Sequence, residues 1–189
     1  ALITYGLTVE PTSSYWDAGE YISTSAKLQV GHPPGAPFYQ MMGAIFALFA
    51  SDNESIAIAV NFLSVVSSAF VILFLFWSTT LFLQKIFNKN NFSNSLNIIL
   101  SASIGALAFM FSDSFWFSAV EAEVYAMSSF FTAIVVWAAF KWELVEDEAE
   151  ANRWILFIAY LVGLSIGVHL LNLVTLPALA ILYYFKKEA

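Results

Sequence analysis

Ser55-Ile-Ala-Ile-Ala-Val-Asn-Phe-Leu-Ser-Val-Val-Ser-Ser-Ala-Phe-Val-Ile-Leu-Phe-Leu-Phe-Trp-Ser-Thr-Thr-Leu-Phe-Leu83 contains no charged side chain. A bilayer core about 30 Å thick is crossed by about 20 apolar residues in a helix, so this run suffices for one tilted or protruding span. Lipid offers no partner to backbone amides, and a segment that satisfies them internally is a helix. Further apolar blocks follow. Leu96 to Phe111 is shorter but extends into Phe115-Trp116-Phe117, and Val124 to Trp142 is interrupted only by small polar residues. Trp154 to Phe185 is generous for one helix and tight for two. At the other end, Ala1 to Val9 is too short to span and reads as the end of a first transmembrane helix.

The composition of the 189 residues agrees with this reading: 60% are hydrophobic, 11% are charged and the mean hydropathy is +0.75. Soluble domains carry about a quarter charged residues. The 19 Phe, 8 Tyr and 6 Trp supply packing and interfacial belts. The net charge of −7 divides between loops on two sides of a membrane and points to no partner. Nothing in the chain suggests nucleic-acid binding. Without cysteine there is no disulfide and no thiolate metal site. No P-loop, dinucleotide fingerprint, Ser-His-Asp set or Cys/His metal spacing occurs.

Basic residues orient the spans. Lys85 and Lys89 follow one span, Lys141 and Arg153 flank a loop, and Lys186 and Lys187 close the chain. If 154–185 forms two short helices turning near His169–Asn172, all six fall on one side, which the positive-inside rule makes cytoplasmic. If it forms one helix, the Lys186–Lys187 pair lands opposite Arg153. The hairpin is the favoured arrangement, with Gly163, Gly167 and Pro177 compatible with a broken passage. The expected spans are then 55–83, 96–117, 124–142, 154–168 and 172–185, in a single transmembrane domain. Gly31-His-Pro-Pro-Gly-Ala-Pro37 introduces an apolar stretch, 38–50, that is either a short span or a surface helix. Its length and three prolines favour the surface, making 10–54 an external loop with juxtamembrane helices. Asp17 and Glu20 then share the external side with Asp113, Glu121 and Glu123; on the spanning reading they lie opposite Glu121 and Glu123. The acidic Glu143–Glu150 cluster reads as a solvated cytoplasmic loop. The fold class expected is all-α: a polytopic transmembrane bundle with juxtamembrane surface helices.

Four groups of residues can carry chemistry. In Tyr15-Trp-Asp-Ala-Gly-Glu-Tyr21, Asp17 and Glu20 share one helix face, among aromatics that include Trp16. Carboxylates in a partly dehydrated setting act as general bases or hold cations; the plainer reading has Asp17 as the N-cap of a helix and Glu20 at N3 of a capping box. His32, in the Gly31–Gly35 turn, can contact a phosphate or relay a proton, or be incidental to the turn. Asp113-Ser-Phe-Trp-Phe-Ser-Ala-Val-Glu121-Ala-Glu123-Val-Tyr125 places acids at a bundle mouth, where acids are solvated, paired or functional. His169 and Asn172 sit at the proposed turn, where polar groups most often cap helices or bond across them. Lys27, two turns after Glu20, can pair with an acid or face a lipid phosphate.

These motifs also carry a resemblance. Tyr15-Trp-Asp-Ala-Gly-Glu-Tyr21 followed by Lys27-Leu-Gln-Val-Gly-His-Pro-Pro-Gly-Ala-Pro37 resembles the opening of a protein O-mannosyltransferase-like membrane family, long labelled a domain of unknown function, within the GT-C glycosyltransferases. Phe111 to Tyr125 and Gly163-Leu-Ser-Ile-Gly-Val-His-Leu-Leu-Asn172 look like its later motifs, so the resemblance runs from about Thr8 to Lys187. The resemblance implies the N-terminal half of a GT-C-like enzyme, inactive on its own if the remainder completes the lipid-phosphate site. Such an enzyme takes a sugar, mannose in one branch, from a polyprenyl-phosphate donor to a hydroxyl acceptor such as Ser or Thr of an exported protein. By resemblance, Asp17 is the general base and Glu20 orients the acceptor or tunes Asp17. Trp16, Lys27, His32, Glu121, Glu123, Tyr125, His169 and Asn172 contribute to substrate binding. The same resemblance implies inversion at the anomeric carbon, no metal and no obligatory cofactor. It places the chain in a bacterial inner membrane with its active site on the periplasmic face. The rivals are a transporter or flippase, with the acids as an ion path, and a non-catalytic membrane subunit.

Overall fold

The computed structural model describes residues 1–87 and 92–188, and among them every regular element is helical. The chain is an all-α membrane-spanning bundle. Short helices α1 (Leu2–Leu7), α2 (Ala18–Lys27) and α3 (Pro37–Ala47) precede α4 (Ile56–Ile86). Then come α5 (Phe92–Met110), α6 (Asp113–Val120), α7 (Val124–Glu143), α8 (Glu148–Ile166), a 3-10 turn (Leu170–Val174) and α9 (Thr175–Glu188). Among the described residues, five helical segments are long and apolar enough to cross a membrane: α4, Ser93–Met110, α7, α8 and Leu170–Lys187. The 31 residues of α4 extend about 46 Å, more than a hydrocarbon core requires. Lys89 lies outside the described residues.

The spanning helices alternate in direction. The end at which α4 begins is called the upper end. At the lower end Lys85 pairs with Glu143, joining the ends of α4 and α7. Lys186, near the end of α9, donates to the Val145 carbonyl at 2.8 Å and lies 4.4 Å from the centre of the Trp142 ring. The 3-10 turn is therefore at the upper end, between an ascending α8 and a descending α9.

The α4–α7 contact is the most extensive, with α5 packed on α4 and both α8 and α9 on α7. Leu63, Met127, Phe131, Val135 and Leu161 form the core between α4, α7 and α8. Tyr5 of α1 is buried with Val65, Val71 and Phe115, its hydroxyl donating to the Met110 carbonyl at 2.8 Å. The 11 residues of α3, about 16 Å long, fall short of a crossing. This helix lies across the upper end instead. The Phe38 amide donates to the Gly167 carbonyl at 2.8 Å, and Gly43 packs against Ser25 and Val60. A Cβ at position 43 would collide with the Ser25 side chain, so this glycine sets the close approach of α2, α3 and α4.

The segment 96–117 is not one helix. The chain leaves α5 after Met110, and Ser112 is extended (φ −71°, ψ 136°) as the N-cap of the separate helix α6. The Ser112 hydroxyl donates back to the Phe109 carbonyl at 2.8 Å rather than capping α6, and an acid such as Asp113 is favoured in a first turn by the helix dipole.

Candidate functional site: a carboxylate–histidine cluster at the upper end

Asp17 is the N-cap of α2 (φ −87°, ψ 0°), but its side chain accepts no capping bond. Glu20 does not reach back to close a capping box. Its carboxylate is taken by His32, twelve residues on: Oε1 accepts the His32 backbone N–H at 2.6 Å, and Oε2 lies 2.9 Å from Nδ1. Tertiary pairing has displaced the local motif. The loop can come this close because residue 31 is glycine. A Cβ there would meet Gln40 Nε2 at 2.8 Å and Glu20 Oε1 at 3.0 Å. The turn closes with the Gly35 amide donating to the His32 carbonyl at 2.8 Å, around a cis Pro33–Pro34 bond.

An ionised carboxylate only accepts, so Nδ1 carries the proton shared with Glu20 and Nε2 faces outward. There it meets Asp17 Oδ2 at 3.9 Å, within ion-pair range but too long for a hydrogen bond. The backbone N–H of His32, followed by its ring, holds Glu20 below its ordinary value of 4.5. The hydrogen bond to Glu20 holds His32 above its ordinary 6.5. The sign follows for each partner. The histidine's share of the pairing is fully present below 6.5 and is lost as pH rises through its raised value. The glutamate's share is present above 4.5 and is lost as pH falls through its lowered value. The pairing is therefore strongest in the window between the lowered Glu20 value and the raised His32 value.

One ligand atom from each of Asp17, Glu20 and His32 lies within 4.8 Å of the other two, a hard O/N donor set that suits a divalent cation. Each Glu20 oxygen already accepts one hydrogen bond from His32, which leaves its second lone pair for a cation.

Beneath Asp17 lie two acids that are almost wholly buried, Glu121 (3% exposed) and Glu123 (5% exposed). Glu123 Oε1 accepts the Asp17 backbone N–H at 3.2 Å, and Glu121 accepts from the Ser14 hydroxyl. The Glu10 amide donates to the Val120 carbonyl at 2.9 Å. The loop carrying Asp17 is thus tied along its length to the segment between α6 and α7. Asn61, fully buried in α4, secures the other side by donating to the carbonyls of Glu10 (2.6 Å) and Thr12 (2.9 Å). Sequence reading passed over Asn61, although an amide within the uncharged run 55–83 was a signal. Asn61→Leu strands two carbonyls and is expected to cost about 1–3 kcal/mol, read as a lower denaturation midpoint of the full-length protein in detergent.

Burial, with Asp17 and Glu121 nearby, pushes Glu123 up to about 7. A carboxyl whose folded value is raised favours folding while protonated. Its contribution is complete below the ordinary 4.5 and is lost as pH rises through about 7. Glu123→Gln keeps the acceptor oxygen but cannot ionise. The two proteins should be equally stable near pH 4, with the variant ahead by an amount of order 3 kcal/mol above pH 7. Thermal unfolding across pH measures this, and parallel curves would contradict it.

Beside Asp17 opens a cleft of about 280 Å³, lined by Trp16, Asp17, Phe117, Glu121, Glu123 and Tyr125. Tyr125 packs its ring 5.8 Å from that of His169. His169 Nδ1 accepts the Leu171 amide at 3.2 Å, capping the 3-10 turn. Asn172 is buried and bonds across helices: Oδ1 accepts from Ser128 (2.7 Å) and Thr132 (3.3 Å), and Nδ2 donates to the Ser165 carbonyl (3.2 Å). Lys27 is exposed in the last turn of α2, about 15 Å along the helix from Asp17, and makes no ion pair among the described residues. The structure thus brings together Asp17, Glu20, His32 and Glu123, with Trp16, Glu121 and Tyr125 around the adjoining cleft. Lys27 and Asn172 stand apart, and His169 touches the cleft only through Tyr125.

The family model described as the protein O-mannosyl-transferase TMEM260 N-terminal domain matches residues 17–189, starting at Asp17 itself. A protein O-mannosyl-transferase tmem260 from Dictyostelium discoideum is 28% identical over 190 residues, covering 97% of this chain and 22% of the relative. The chain therefore spans about a fifth of the length of that relative. No solved structure matches. With the family model covering nearly the whole chain, the chain belongs to the protein O-mannosyl-transferase TMEM260 N-terminal domain family.

Proposed function

We propose that the full-length parent of this chain is a membrane glycosyltransferase of the GT-C type, moving mannose from a polyprenyl-phosphate donor to a hydroxyl, notably Ser or Thr of an exported protein. The observation that carries this reading is the Asp17 carboxylate. It is exposed at the mouth of an aromatic-walled cleft, its backbone is pinned to Glu123, and an outward-facing His32 nitrogen lies beside it. The family match and the relative's name supply the reaction class.

Asp17 takes the proton of the acceptor hydroxyl as that oxygen attacks the anomeric carbon. The bond from the anomeric carbon to phosphate oxygen breaks on the opposite face, its electron pair leaves with the polyprenyl phosphate, and the configuration inverts. Glu20 fixes the tautomer and direction of His32, and His32 shields Asp17 from the Glu20 charge. Carboxylates alone supply this chemistry, so no metal or other cofactor is obligatory in it. The site lies on the non-cytoplasmic face, which is periplasmic in a bacterial inner membrane. Placement of the acids at helix ends rather than within the bundle favours transfer over an intramembrane ion path.

The test uses full-length parent protein, in lipid nanodiscs for transfer and in sealed vesicles for transport, with radiolabelled polyprenyl-phosphate mannose and Ser/Thr-containing acceptor peptides. Label covalently attached to peptide is the expected result. Folded protein that transfers none, while label crosses sealed vesicles unchanged, would favour the transporter instead.

A further inference from the structure

Trp16 is the unexplained residue of the upper end. It is 87% exposed, and its backbone is in the left-handed region (φ 59°), which a bulky side chain adopts only at an energetic cost. The chain holds it there because the next residue is fixed: the Asp17 amide is bound by buried Glu123, and Asp17 begins α2. The indole consequently forms one wall of the cleft, with Phe117 and Tyr125 as the other aromatic surfaces and Asp17, Ser118, Glu121 and Glu123 as its polar residues.

We propose that this cleft is the subsite for the sugar ring of the donor, with the hexopyranose stacked on Trp16. The inference rests on the transfer reading above for the identity of the sugar. Sugar hydroxyls both donate and accept hydrogen bonds; carboxyl oxygens accept them, and Glu123, pushed up to about 7, also donates while protonated, so the polar lining suits a polyol. The C–H face of a pyranose is weakly positive and apolar, a match for the negative face of an indole. At about 280 Å³ the cleft lies just below the range of drug-sized pockets, about 300–1,000 Å³, which suits one sugar ring rather than a lipid chain. An exposed Trp at a membrane surface can also be an interfacial anchor. Against that role, its indole walls a cleft with the polar groups of Asp17, Glu121 and Glu123 rather than lying on an apolar face.

The test measures equilibrium binding to full-length Asp17→Asn protein, which cannot turn over, in nanodiscs. The probes are polyprenyl-phosphate mannose and polyprenyl phosphate without sugar. Adding Trp16→Ala should weaken the mannosyl lipid about ten-fold or more, equivalent to about 1.4 kcal/mol, and leave the bare phosphate lipid within about two-fold. Adding Trp16→Phe, which keeps a ring, should fall between. Equal loss for both lipids would make Trp16 a membrane anchor and overturn the proposal, as would no loss for either. Sugar-dependent binding through Trp16 in a protein whose wild type transfers nothing would uphold the subsite and remove the transfer reading.

Discussion

Asp17→Asn in the full-length parent should lower kcat for mannosyl transfer by about a thousand-fold, within the 10²–10⁴ that a positioned general base contributes, while the donor KM stays within about three-fold. The substitution is nearly isosteric. Asp17 N, not its side chain, makes the bond to Glu123, and the side chain caps nothing, so fold and cleft persist. What is lost is the ability to accept a proton as the acceptor oxygen attacks. A large rise in KM with kcat preserved would instead make Asp17 a binding residue.

The second large effect belongs to His32. His32→Ala removes the ring that separates two carboxylates and leaves Glu20 without its side-chain partner. A fall in kcat of about 10- to 100-fold is expected, the scale seen when an orienting partner is removed. Glu20→Gln provides the finer test. His32 sits above its ordinary 6.5 chiefly because of Glu20. Neutralising Glu20 lets His32 lose its proton at lower pH, so any limb of the pH–rate profile that requires protonated His32 should move to lower pH in Glu20→Gln and vanish in His32→Ala. A limb unmoved by Glu20→Gln would place its titration on another residue.

How far the sequence reveals this molecule depends on the range of the interactions involved. The long helix through 55–83 is legible because length, apolar content and lack of charge each require it, and it forms as Ile56–Ile86. The break at Phe111–Ser112 is marked only by Ser112-Asp113-Ser114, a helix-start signal that a reading by apolar content passes over because aromatics resume at Phe115. Asp17 and Glu20 are recognisable as a pair from their spacing. That spacing also fits a capping box, and only a histidine arriving from twelve residues away decides between the two. Burial of Glu121 and Glu123 is likewise invisible locally, because it depends on the 10–17 loop folding over them under the hold of Asn61. Motifs within one turn of helix can be read directly, whereas the site itself is made by contacts between segments about a hundred residues apart.

The most direct measurement is a cryo-electron-microscopy structure of the full-length Asp17→Asn protein bound to polyprenyl-phosphate mannose. The sugar ring is expected in the cleft between Trp16 and Tyr125, with its anomeric carbon turned toward residue 17 across room for an acceptor oxygen, about 3–3.5 Å from the carbon it attacks. A sugar bound elsewhere, with the cluster at residues 17, 20 and 32 out of reach of its anomeric carbon, would contradict it.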